Sequence, residues 1–185
     1  RWQDEGLRCP KVAVNFSSRQ FQQFAFSEFI ANTLAEHRVE PALLEVEITE
    51  GAMVQDVEQT IETLDQLKLL GVKVSIDDFG TGYSSLSYLK NFPVDVLKID
   101  QSFIRDMRGD TAAKAIVLSI ISLAHNLGLK VIAEGVEERE ELRFLHEHGC
   151  DEMQGYYFSK PVPAETLREL IVSGARLNSK ELLRA

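Results

Sequence analysis

Leu44-Glu45-Val46-Glu47-Ile48-Thr49 alternates apolar and polar residues without a break. In an extended strand successive side chains leave opposite faces, so Leu44, Val46 and Ile48 share an oily face while Glu45, Glu47 and Thr49 share a polar one. The same division recurs at Val12, Val14 and Phe16 against Lys11, Ala13 and Asn15, and at Val72, Val74 and Ile76 against Lys73, Ser75 and Asp77. It recurs again at Leu97 and Ile99 against Lys98 and Asp100. Parallel strands covered by helices on both faces are apolar on both. A polar face repeated on four strands therefore predicts strands that curl around a polar interior, as in a barrel, with an open six-stranded sheet as the alternative.

Outward from this run, short β-branched stretches alternate with helical patterns along the chain, the signature of βαβ units. Strands are predicted at Val12–Phe16, Leu43–Ile48, Val72–Asp77, Val96–Asp100, Val131–Glu134 and Met153–Phe158. Apolar residues at helical spacing fall between and after them: Phe21, Phe24, Phe29 and Ile30; Val57, Ile61, Leu64 and Leu67; Ile116, Ile120, Leu123 and Leu127; Leu167, Leu170 and Ile171. Gly71, Gly128 and Gly149 stand where helices stop. Equivalent strand positions lie 32 residues apart from Asn15 to Glu47, 30 from Glu47 to Asp77 and 34 from Asp100 to Glu134, the length of a βαβ unit. A complete eightfold barrel takes about 250 residues. The expectation is an α/β, TIM-like (β/α) barrel with six of eight units present and the N-terminal two missing, residues 1–185 being the C-terminal part of one domain.

Composition narrows the function. With 44% hydrophobic residues the chain can bury a core, and its net charge of −9 argues against salt-driven binding to a DNA or RNA duplex. The longest apolar stretch, Ala115 to Ala124, is interrupted by Ser119 and Ser122 and is too short to span a bilayer. Cys9 and Cys150 lack metal-type spacing and form no disulfide framework, so a reducing, cytoplasmic setting is expected. Arg1-Trp2-Gln3 has neither an initiator methionine nor a leader pattern, and reads as the interior of a longer protein.

Chemistry in such barrels gathers where strands end and the following loops begin. That rim carries Asn15, Glu47, Asp77 with Asp78, Lys98 with Asp100, Glu134 and Gln154. One carboxylate at a strand end is ordinarily a solvated residue or a helix cap; six consecutive strand ends with polar residues are a constellation. Converging carboxylates raise one another's pKa unless cations compensate, and all-oxygen ligands select hard metals, Mg²⁺ or Mn²⁺. Adjacent Asp77 and Asp78 would point to opposite faces of a regular strand, so both reach one site only where the strand breaks, a break assigned to Gly80 and Gly82. Lys98 beside Asp100 reads either as a structural ion pair or as a group that orients water and stabilises phosphoryl oxygens. Asp78-Phe79-Gly80 is not a kinase signature, because no glycine-rich G-x-G-x-x-G loop and no His-Arg-Asp loop accompany it. Gly80-Thr81-Gly82 reads as a turn, with Ser84 or Ser85 capping the next helix, as readily as a phosphate loop. His37, His125, His146 and His148 fall on helical segments away from the strand ends.

Taken together, Val12-Ala13-Val14-Asn15-Phe16-Ser17, Glu47-Ile48-Thr49-Glu50, the run from Asp77 to Ser85, Leu97-Lys98-Ile99-Asp100, Ala133-Glu134-Gly135-Val136-Glu137 and Gln154-Gly155-Tyr156-Tyr157-Phe158 resemble the EAL-domain family of cyclic di-GMP phosphodiesterases, in the family's order and spacing. The resemblance implies that Asn15, Glu47 and Asp77 hold one metal and that Asp77, Asp78 and Glu134 serve a second. It further implies Glu134 as general base, Lys98 as the water-orienting cation, Asp100 and Glu137 as supporting carboxylates, and Gln154 as a polar residue at the site floor. Glu50 resembles the glutamate that anchors the Asp78–Ser85 loop; the alternative is that it caps the helix beginning near Asp56. The implied reaction is in-line attack of an activated water on one phosphodiester of cyclic di-GMP, giving linear pGpG.

The family's Glu-Ala-Leu triplet is absent from these 185 residues, and with it a carboxylate of the first metal shell and a nearby substrate-contacting arginine. The expected function is a metal-dependent phosphodiesterase impaired in this chain. Alternatives are a non-enzymatic cyclic di-GMP-binding regulatory domain, and an unrelated Mg²⁺-dependent barrel enzyme. A sensor or regulatory domain is expected upstream, a membrane anchor there is compatible, and homodimer contacts are expected through unpaired strand edges.

Overall fold

The computed structural model describes residues 2–174, apart from positions 3, 4, 8, 24 and 83–85. Six strands, β1 (Val12–Phe16), β2 (Leu44–Thr49), β3 (Lys73–Phe79), β4 (Val96–Ile99), β5 (Lys130–Ala133) and β6 (Glu152–Met153), lie side by side in chain order. Every neighbouring pair is parallel. Strict sequential order belongs to a singly wound barrel, whereas a doubly wound sheet reverses its order at a switch point. The strands form a half-barrel with helices outside.

The helices are α1 (Ser18–Phe21), α2 (Phe26–His37), α3 (Glu50–Met53), α4 (Val57–Leu70), α5 (Leu86–Leu89), α6 (Gln101–Asp106), α7 (Thr111–Asn126), α8 (Arg139–Glu147) and α9 (Ala164–Ser173). Asp56 caps α4 through Gln59 N–H, 3.1 Å away, and Gly71 ends it in the left-handed region. Between strands and helices lies the core: Val46, Ile48, Val74, Ile76, Leu97, Ile99 and Val131 face Leu64, Leu67, Val117, Ile121 and Leu145, none more than 3% exposed. Each such side chain contributes about 1.5–3 kcal/mol by leaving water.

Two expectations are corrected. The helical pattern from Phe21 to Ile30 is two helices, because Ala25 takes φ 66° ahead of α2; Phe24 lies outside the described residues. The six-residue strand at Met153–Phe158 is only β6, after which the chain turns sharply, with Phe158 N–H donating to Gly155 O at 3.1 Å. A Cβ on Gly155 would sit 2.2 Å from Val136 O, so only glycine lets this turn close against the loop after β5. At the edge strand β1, Val12 and Val14 are 56% and 37% exposed. With Phe16, Phe29 and Leu34 they line an apolar groove of about 650 Å³ on the outer side of β1, where the arc ends.

Candidate metal centre

Parity and register carry the polar side chains to one place. Asn15 pairs with Glu47, and Glu47 with Ser75, so β1, β2 and β3 present these residues inward at one level, with Asp77 one step further along β3. Lys98 follows from β4, and Glu134 leaves the end of β5 with its N–H bonded to Ile99 O at 3.1 Å. Glu47, Asp77 and Lys98 are buried at 6%, 8% and 3% exposure. The Lys98 ammonium lies 2.7 Å from Glu47 Oε1, 3.0 Å from Asp77 Oδ1 and 2.7 Å from Glu134 Oε1.

Asp77 and Asp78 reach the same side by a device the sequence reading placed too late. Between β3 and β4 the register runs Ile76 to Leu97 and then Phe79 to Ile99, so β3 has one residue more than its partner. That is a β-bulge, and Asp78 sits in it at φ 53°. The strand breaks at Asp78 itself, ahead of Gly80. An aspartate tolerates the left-handed region better than most side chains, at a modest strain held by its surroundings.

One ligand oxygen each from Asp77, Asp78 and Glu134 lies within 4.8 Å of the others. Asp78 is pushed above the ordinary carboxylate range by burial, then by the charges of Asp77 and Asp100. Glu134 is raised by burial, which outweighs the opposing pull of Lys98. Burial works against charge on Lys98 as well, yet its bonds to Glu134, Glu47 and Asp77 together hold its pKa above the ordinary lysine value. Asp77 Oδ1 is buried and, although the ammonium is near, receives no well-directed hydrogen bond. An under-satisfied buried oxygen among clustered carboxylates, with no sulfur or imidazole donor in the trio, fits a hard divalent cation.

The remaining site residues divide. Asn15 is exposed on β1 next to Glu47. Asp100 caps α6 through Ser102 N–H at 3.0 Å, and its charge is among those that raise the pKa of Asp78. Glu50 begins α3, and its Oε2 accepts from Gly80 N–H at 3.2 Å, so it anchors the loop, while Asp56 supplies the α4 cap. Contacts from Glu50 to Ser84 or Ser85, and their capping role, lie outside the described residues. The Gln154 side chain is exposed, and its backbone bridges Ala133 and Val136 at 2.8 and 3.0 Å. Glu137 is 54% exposed and its carboxylate is 4.0 Å from Arg108, not on the Lys98 cluster.

One support escaped the sequence reading. Glu141, 3% exposed, accepts from Glu137 and Glu138 N–H at 2.9 Å each and from Arg108 Nε at 2.7 Å. It therefore braces the loop that leaves Glu134. A glutamate three residues beyond a helix start is the signal that was available.

A parallel half-barrel whose strand ends gather carboxylates around a buried lysine defines a β/α barrel with a cluster of oxygen donors, able to hold a divalent cation, at its C-terminal rim. The chain matches the EAL domain over residues 1–161 and belongs to that family. It is 45% identical over 171 residues to the signaling protein YkoW of Bacillus subtilis, covering 92% of this chain and 21% of YkoW. It is 43% identical over 166 residues to the bifunctional diguanylate cyclase/cyclic di-GMP phosphodiesterase MucR of Pseudomonas aeruginosa, covering 90% and 24%. The structure of the MucR phosphodiesterase with c-di-GMP superposes with a TM-score of 0.86 over 90% of this chain and 67% of that one, at 43% identity. The Klebsiella pneumoniae BlrP1 complex with manganese and c-di-GMP gives 0.75, with 33% identity over 82% and 39% of the two chains. The chain thus spans less than a quarter of the length of these curated relatives.

Proposed function

We propose that this chain is the C-terminal part of a cyclic di-GMP phosphodiesterase domain that uses Mg²⁺ or Mn²⁺ to open one phosphodiester and release linear pGpG. The observation that carries the reading is the convergence of Asp77, Asp78 and Glu134 within 4.8 Å beside Lys98, on a rim shared with EAL domains. The cations would be held by Asp77, Asp78 and Glu134, and by Glu47 with Asn15. When bound they supply the positive charge that acidifies a water and draws in the phosphodiester. Glu134, with its raised pKa, is the group placed to accept the water's proton. Lys98 directs an ammonium at the same point, where phosphoryl charge develops. The bulge places Asp78, Glu50 anchors the loop that follows it, Asp100 stands close enough to raise the pKa of Asp78, and Glu141 braces the loop behind Glu134.

No helix among the described residues is long and apolar enough to cross a membrane. We place the domain in the cytoplasm, under domains outside these residues that supply its control. The deciding measurement is hydrolysis of cyclic di-GMP with Mn²⁺, by this chain and by the longer protein containing it. The longer protein is expected to release pGpG only with added metal, and the chain alone much more slowly, since it lacks the Glu-Ala-Leu carboxylate. Glu134→Gln should abolish turnover while binding persists. Metal-independent turnover, or unchanged kcat in that variant, overturns the assignment. Binding without any turnover in the longer protein would establish the regulatory-domain reading instead.

A further inference from the structure

Lys98 is 3% exposed, so the three donors of its ammonium must find partners in the protein. The ammonium lies against carboxylates from β2, β3 and the end of β5, at 2.7, 3.0 and 2.7 Å, the contact with Asp77 being an ion pair without a well-directed hydrogen bond. Without a cation among them Glu47, Asp77 and Glu134 would repel one another across a buried space. Two of these three, Asp77 and Glu134, are also two of the three residues that can converge on a metal. A divalent cation and an ammonium drawn to the same carboxylates repel each other, so the two occupancies oppose one another. The lysine stem is flexible and its head a strongly hydrated point charge, which lets it retreat when a denser charge arrives.

We propose, resting on the divalent-cation reading above, that Lys98 is the resident counter-cation of the metal-free centre, and that Mg²⁺ or Mn²⁺ enters by taking over carboxylate oxygens that the ammonium holds. Lys98 thereby acts as a positioning residue before any substrate arrives. It keeps carboxylates from separate strands assembled without metal, and it weakens metal binding, because each cation that enters must loosen ion pairs already made. Monovalent ions lack the charge density to do so.

The test compares the 185-residue chain with Lys98→Met by calorimetric Mn²⁺ titration and by thermal melting with and without Mn²⁺. The variant is expected to bind Mn²⁺ at least about tenfold more tightly, because a nearby positive charge is gone. It should melt lower than the parent without metal, and saturating Mn²⁺ should close the gap. Equal or weaker Mn²⁺ binding by a folded variant overturns the proposal and leaves Lys98 as scaffold alone. Since the variant can fail to fold without metal, the unsubstituted chain carrying ¹⁵N-labelled lysine provides a second measurement. A slowly exchanging Lys98 ammonium signal in the metal-free protein, shifting or vanishing as Mg²⁺ saturates, supports the exchange. A signal unmoved by Mg²⁺ overturns it. None of these readouts uses hydrolysis, so a longer protein inert towards cyclic di-GMP would refute the phosphodiesterase reading and leave these measurements to decide the role of Lys98.

Discussion

Glu134 does most at the scale of single residues, and pH exposes it. Its pKa and that of Asp78 are raised in the metal-free fold above the ordinary values of 4.5 and 3.8, in each case first by burial. A folded state that holds protons more tightly than the unfolded chain loses stability as pH climbs from the unfolded pKa through the folded one. The metal-free protein is therefore expected to become progressively less stable, relative to Glu134→Gln, as pH rises from about 4.5; thermal melts across pH check this, and parallel pH profiles would contradict it. Mn²⁺ needs the ionised carboxylates, so its affinity should rise over the same window in the parent and less steeply in the variant, as calorimetry would show. The sequence announced Asp77 and Lys98 because parity puts them on the polar face, and Glu134 because it stands at the end of a strand. For Glu141 it offered only a capping position at a helix start, and its burial against Arg108 comes from the fold.

At the scale of elements, the short connections after strands position the chemistry. The bond from Gly80 N–H to Glu50 runs between connections 30 residues apart and holds the loop that follows the bulge. A hydrogen bond to a charged acceptor is worth about 1.5–3 kcal/mol. Glu50→Ala is accordingly expected to weaken Mn²⁺ binding by about tenfold through a misplaced Asp78, with melting lowered by only a few degrees; unchanged affinity would detach Glu50 from the site. The loop behind Glu134 is fixed from two sides. Tyr157 N–H donates to Val136 O at 2.9 Å, and Glu141 takes the N–H groups of Glu137 and Glu138. Glu141→Ala would leave those two amides without their partner, at about 1–3 kcal/mol for each that water cannot reach. Amide exchange at Glu137 and Glu138 should accelerate markedly in that variant while exchange in α4 stays protected. Equal protection in both proteins would show that the brace is dispensable. The bulge itself was half legible: two adjacent aspartates demanded a break, but a register shift depends on the partner strand, which no local pattern reveals.

Taken whole, the molecule is an arc with two ends. The outer edge of β1 pairs with no strand among the described residues, and beside it Val12, Val14 and Phe29 are 56%, 37% and 58% exposed around the apolar groove. Unpaired edges and large apolar grooves favour association. The chain is expected to self-associate with rising concentration, read by light scattering after gel filtration, and Val14→Lys should shift it towards monomer because a charge on the edge opposes pairing. A concentration-independent monomer would contradict this. Alternation of side chains along Val12–Phe16, Leu44–Thr49 and Lys73–Asp77 determined by itself the strands and their polar face, because the two-residue period is set by backbone geometry and needs no partner, while the helices between them pointed to parallel pairing. Hydrophobic spacing likewise determined α4 and α7. Only the tertiary structure decided that β6 is two residues long, that Asp78 turns back to join Asp77, and that one lysine faces three carboxylates. Each of these depends on what a neighbouring strand or loop allows: the backbone of Val136 against Gly155, the shorter count of β4 against β3, and burial that leaves the Lys98 ammonium no water to pair with.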